Sequence, residues 1–137
     1  MNQNLSVAAY CRVSRDDAQG VSIVDQKAIL SSYAREHFPG CALTFFEDRT
    51  GCTFEQREGY QRMRRGLLDH RFDILLIKDF SRFSRRNIRS LMELDELRDA
   101  GVRIISVDEG VDFSTADDWC GIQFRFLLEE MPSDKVV

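Results

Sequence analysis

Proline is scarce in this chain, 2 of 137 residues, and glycine is held to 8. With no low-complexity stretch, those counts exclude a collagen-like fibre, a linker-rich array and a disordered segment. Histidine also numbers 2, and the 4 cysteines, Cys11, Cys41, Cys52 and Cys120, form no C-x-x-C pair. That pattern argues against a zinc site and against a disulfide framework. No apolar run approaches the ~20 residues of a membrane span, and Met1 to Ser6 is too polar for a signal-peptide core, so a cytoplasmic protein with no membrane partner is expected. Neither G-x-x-x-x-G-K-[ST] nor G-x-G-x-x-G occurs, which removes the common phosphate-cradling loops of nucleotide enzymes.

What is present is core material: 43% of the residues are apolar and 10% aromatic. In a chain of this length they suffice for one globular domain, taken here as 1–137. The net charge of −4 conceals an asymmetry, because nine Arg and one Lys between Arg57 and Arg89 face only four acids, giving that stretch +6 and the remainder −10. The cations are mostly arginine, whose planar fork binds phosphate oxygens in pairs. A phosphate or nucleic-acid partner fits that bias better than a solvated helix face does.

Hydrophobic periodicity predicts alternating strands and helices. Val7, Ala9, Cys11 and Val13 alternate with Ala8, Tyr10, Arg12 and Ser14, a strand that puts Arg12 and Ser14 on one face. Ser22, with Asp25 three residues on, opens a helix with Ile23, Leu30, Ala34 and Phe38 inward, and Pro39-Gly40 ends it. A strand over Cys41 to Glu47, a polar loop from Asp48 to about Arg57 and a helix burying Tyr60, Met63 and Leu67 follow. Ile74 to Ile77 has the unbroken apolar character of a central parallel strand. Ile88, Leu91, Leu94 and Leu97 mark another helix before Gly101, and Val102 to Val107 another strand. The expectation is a three-layer α/β/α domain on a mostly parallel sheet. A last helix holding Trp119, Ile122, Phe124, Phe126, Leu127, Leu128 and Met131 has apolar residues on more than one side, the mark of an association surface.

Ligands of such sheets sit beyond the carboxyl ends of the strands. Strand one ends there in Arg12-Val13-Ser14 and the central strand in Lys78-Asp79-Phe80-Ser81-Arg82-Phe83-Ser84-Arg85. A serine with guanidinium groups converging on it is a candidate nucleophile for a phosphodiester. Arg82 and Arg85, three apart, could clamp one phosphate. Gln26 lies on the inward stripe of its helix, where a polar group needs a partner. Ser81 and Ser84 suit turn or cap roles. His37 and His70 fall near a helix end and in a turn, so a Ser-His-Asp hydrolase is a poor fit.

Four motifs in order, Tyr10-Cys11-Arg12-Val13-Ser14, Ser22-Ile23-Val24-Asp25-Gln26, Glu47-Asp48 with Arg57-Glu58-Gly59, and Asp73 to Arg85, resemble the catalytic domain of serine recombinases, the resolvase/invertase family. The Phe80 to Arg85 form looks most like the large serine recombinases of mobile elements. The resemblance, carried by Val7 to Asp112, implies a resolvase-like fold and a nucleophilic Ser14. Attack on a DNA phosphodiester would release a 3′-hydroxyl and leave a 5′-phosphoserine link for religation. It further implies that Arg12, Arg57, Arg82 and Arg85 line the phosphate, that Gln26 supports the nucleophile's surroundings, and that no metal, nucleotide cofactor or small-molecule substrate takes part. The partners implied are double-stranded DNA and further copies of the protein, in a homodimer or tetramer. An oligomerisation helix is then expected to start near 116–131, cut short at Val137. Many relatives carry Asp where this chain has Ser81, which leaves Asp79 as the candidate replacement. The rival reading is a receiver-like signalling module, with Asp16, Asp17, Asp48 and a strand-end lysine binding Mg²⁺ and accepting a phosphoryl group. Such a module has no use for arginines at 12, 57, 82 and 85.

Overall fold

A computed structural model of the chain describes residues 5–13, 22–49, 56–79, 87–108 and 110–112, with the side chains of 87–91 and 111 left aside. The elements run β1 (Ser6–Arg12), α1 (Ile23–His37), β2 (Ala42–Asp48), α2 (Glu58–Leu68), β3 (Ile74–Ile77), α3 (Asn87–Asp99), β4 (Arg103–Ser106) and β5 (Val111–Asp112). They form one five-stranded sheet in the order β2-β1-β3-β4-β5. The first four strands are parallel, and β5 returns antiparallel beside β4.

The alternation along β1 sorts residues between two cores. Val7, Ala9 and Cys11 pack with Ile23, Leu30, Ala34 and Phe38 of the α1 segment, while Ala8 and Tyr10 pack with Tyr60, Met63 and Leu67 of α2 and Leu94 and Leu97 of α3. Burying each large side chain contributes about 1.5–3 kcal/mol. The three-layer α/β/α expectation therefore holds. β3 matches its expected bounds, is buried throughout, and lies at the centre of the sheet.

Local chemistry sets the ends of α1. The Ser22 side chain accepts from the Asp25 amide at 3.1 Å, and beyond His37 the chain turns at Gly40 with φ of 83°. Several boundaries differ from the sequence reading: β1 ends at Arg12, β4 covers only Arg103–Ser106, and β2 starts at Ala42. β2 extends one residue further, so Asp48 belongs to the strand and not to the loop. β5, only two residues long, was not anticipated, being too short to show a period. Its Asp112 is fixed by Arg103, whose Nε and Nη2 donate to one carboxylate oxygen at 2.9 and 2.6 Å.

The chain turns to opposite sides after β1 and after β3, so the switch point of the sheet falls between those strands. Tyr10 pairs with Ile77 there. Arg12 and Val13 on one side, and Lys78 and Asp79 on the other, thus leave the sheet at neighbouring positions.

Candidate active site

Arg12, the last residue of β1, is 5% exposed. The next amide, Val13, donates to the Asp48 carbonyl of β2 at 3.2 Å. Successive residues of a strand point their polar groups to opposite sides, so the N–H and C=O of Arg12 face the β3 side, where pairing has stopped at Ile77. Gln26 of α1 occupies that position. Its Oε1 accepts from the Arg12 amide at 3.1 Å and its Nε2 donates to the Arg12 carbonyl at 3.1 Å. A wholly buried side chain thus completes the main-chain bonding of β1 one step beyond the end of its neighbour.

Arg57, 3% exposed, sits at the N-cap of α2 and makes no side-chain cap bond there. The cap comes from Asp48, whose Oδ1 accepts from the Gly59 amide and whose Oδ2 accepts from the Tyr60 amide, both at 2.9 Å. The Tyr10 hydroxyl donates to the same Oδ2 at 2.7 Å. Burial, then the Asp48 charge, pushes the Tyr10 hydroxyl far above its ordinary pKa, while the guanidinium groups of Arg57 and Arg12 pull the other way. Arg12 stands opposite Asp48 at the end of β1, and Arg57 stands at the N-cap of the helix whose first amides Asp48 holds, so both residues lie at the carboxyl edge of the sheet beside Asp48. Paired guanidinium groups in such a place suit an anionic group such as a phosphate.

Behind the arginines lies a polar chain that the sequence reading missed. The Tyr60 ring meets the Tyr10 ring edge-on, with centroids 5.6 Å apart, and the Tyr60 hydroxyl donates to Glu93 Oε1 of α3 at 2.5 Å. Arg64, one turn along α2, donates through Nε to the same oxygen at 3.1 Å and also pairs with Glu96. Burial and the Glu93 charge raise the Tyr60 pKa as well. A buried tyrosine hydroxyl needs a partner, so Tyr10 and Tyr60 were signals that some polar group lay nearby. Only the packing of α2 against α3 reveals that Glu93 is the second of those partners.

Lys78 lies between two carboxylates, donating to Asp108 at 2.5 Å and to Asp79 at 3.2 Å. Asp79, the candidate replacement for the family's aspartate, is thereby engaged by its neighbour. Asp48, which the receiver reading needs for a phosphoryl group or Mg²⁺, spends its carboxylate on the α2 cap and Tyr10. His37, stacked on Tyr33, and His70, in a turn, lie where the sequence placed them.

Of the proposed site residues, Arg12, Gln26 and Arg57 come together at the carboxyl edge. Ser14, Arg82 and Arg85 lie outside the described residues, as do Ser81, Ser84, Asp16, Asp17 and the segment 116–131. The described chain on either side of them, at Val13 and Asp79, ends at that same edge.

Among the described residues no helix is long and apolar enough to cross a membrane. No curated protein sequence matches the chain significantly. Solved structures do. The N-terminal catalytic domain of TP901-1 integrase is similar at 26% identity and a TM-score of 0.76, over 91% of this chain and 94% of that one. A resolvase family site-specific recombinase from Streptococcus pneumoniae shares the fold at 21% identity and a TM-score of 0.72, over 92% and 88%. The C-terminal catalytic domain of ISC1926 TnpA, an IS607-like serine recombinase, does so at 22% identity and a TM-score of 0.60, over 92% and 78%. The family model of the resolvase N-terminal domain matches residues 7–137. With that match spanning nearly the whole chain, and with the fold and the arginine-bearing sheet edge in agreement, the protein belongs to the resolvase family as a serine recombinase catalytic domain.

Proposed function

We propose that the chain breaks and rejoins DNA strands in site-specific recombination, with Ser14 as the nucleophile. Ser14 Oγ gives up its proton as it attacks a backbone phosphorus, the bond to the 3′ oxygen breaks, and that oxygen takes up a proton and leaves as a hydroxyl. The 5′-phosphate stays on the serine until a 3′-hydroxyl from another strand reverses the step. Arg12, Arg57, Arg82 and Arg85 hold the phosphate and compensate the charge that builds on its oxygens. Gln26 keeps the Arg12 main chain in place for this work, and so acts as a positioning residue.

The observation that carries the reading is the placing of Arg12 and Arg57 on either side of Asp48 at the carboxyl edge, within a chain of this family. Strand exchange needs more than one active site, so a dimer assembling into a tetramer on duplex DNA is the working form. The segment 116–131, with its surplus of apolar residues, is the surface proposed for that association. A cytoplasmic setting belongs to the same reading, as that of a DNA enzyme.

The test is covalent capture on a nicked suicide duplex bearing the recombination site, with EDTA present. Wild type should form a protein-DNA adduct, Ser14→Ala should form none while still binding DNA, and Ser81→Ala should retain it. An adduct from Ser14→Ala, or an absolute requirement for Mg²⁺, overturns the assignment.

A further inference from the structure

The two arginines beside Asp48 arrive from different elements, Arg12 from the end of β1 and Arg57 from the N-cap of α2. Gln26 fixes the first through the main chain. A comparable device for the second is found on α3. We infer that Glu93 is a positioning residue for the Arg12–Arg57 pair and acts through Tyr60.

Glu93 is 5% exposed, and its Oε1 receives two donors from α2, the Tyr60 hydroxyl and Arg64 Nε. Those donors are one helical turn apart, so the carboxylate resists both sliding and rotation of α2. Tyr60 lies three residues after Arg57, and its amide and ring are held by Asp48 and Tyr10, with Arg12 two residues beyond Tyr10 on β1 and opposite Asp48. A shift of α2 would carry Arg57 away from Arg12.

Packing alone does not call for this arrangement, because an apolar side chain of similar size commonly replaces a buried ion pair without loss of stability. An apolar side chain cannot, however, orient the Tyr60 hydroxyl or register α2 against α3. Placement errors near 1 Å at a reacting centre cost up to about 100-fold in rate. What the aligned arginines do rests on the recombinase reading; that Glu93 aligns them does not.

NMR of the 137-residue chain, labelled with ¹⁵N at arginine, reads the guanidinium Nε–Hε signals of Arg57 and Arg12 alongside urea denaturation. Tyr60→Phe, which keeps the ring, and Glu93→Leu should displace both signals. Glu93→Gln, whose amide oxygen still accepts from Tyr60, should restore them to near the wild-type positions. The Tyr60→Phe/Glu93→Leu double variant should move them no further than the single variants do, since both cut one linkage. Wild-type arginine signals in folded Tyr60→Phe, whatever its denaturation midpoint, overturn the proposal; should Glu93→Leu fail to fold, Tyr60→Phe decides alone. On a duplex that wild type cleaves, Tyr60→Phe should slow single-turnover cleavage by roughly 10- to 100-fold at unchanged DNA affinity. Displaced arginine signals beside a wild type that never forms an adduct would sink the recombinase reading and leave the role of Glu93 standing.

Discussion

Asp48 caps a helix that starts ten residues further along the chain: from the end of β2 its carboxylate accepts from the Gly59 amide at 2.9 Å, inside the first turn of α2. The same group holds the Tyr60 amide and the Tyr10 hydroxyl. Asp48→Ala leaves three buried donors without their acceptor and should destabilise the domain by about 3 kcal/mol or more in urea denaturation. Gly59→Ala tests the same closeness from the other side. A β-carbon there would press on the Glu47 carbonyl oxygen, which is main chain and cannot swing aside, so a loss of about 1–3 kcal/mol is expected.

Gln26→Leu should be costly despite its similar size. The Arg12 N–H and C=O would lose the amide that serves both, at about 1–3 kcal/mol for each group left unsatisfied. Urea denaturation reads that loss. Adduct formation should fall further than stability predicts, because Arg12 itself moves.

Lys78 makes a pH prediction. Burial works against its ammonium, but hydrogen bonds to Asp108 and Asp79 outweigh that effect and raise its pKa above that of an ordinary lysine. A raised pKa means the folded state holds the proton more tightly, so this stabilisation is complete below about 10 and is lost as pH climbs through the folded value. The stability gap between wild type and Lys78→Met should therefore be constant from pH 7 to about 9.5 and shrink above 10.5. A gap that widens above pH 10.5 would contradict the pairing.

DNA binding by this chain should be dominated by arginine contacts to phosphate. Affinity for a random-sequence duplex, followed by fluorescence anisotropy, should be weak and should decline linearly in log Kd against log salt. Arg12→Ala should weaken binding about equally for all sequences and make the salt slope shallower by about one. Tight binding that salt leaves unchanged would count against this account.

The parts of the fold governed by local chemistry were legible in the sequence. Ser22 and Asp25 announced the start of α1, the run from Ile74 to Ile77 announced the central strand, and Arg12-Val13 pointed to the sheet edge. Gln26 could be recognised as a polar intruder on an apolar stripe, yet not as a partner of the Arg12 main chain, since that depends on β3 stopping at Ile77. Asp48 looked like a loop residue because nothing local says that a strand end will cap a helix starting ten residues later. Glu93 was hidden for the same reason: an acid next to Leu94 is ordinary in a helix, and its meaning comes only from Tyr60 and Arg64 on another helix.

The position of β1 has a consequence for how the protein is made. Within this domain it is made before both of its neighbours, which come from residues 42–48 and 74–77. Until Ile77 has emerged, one flank of β1 stays open, and until Glu93 follows, α2 has no anchor on that side. The surroundings of Arg12 and Arg57 are therefore complete only after α3 has been made, whatever the earlier elements have already formed.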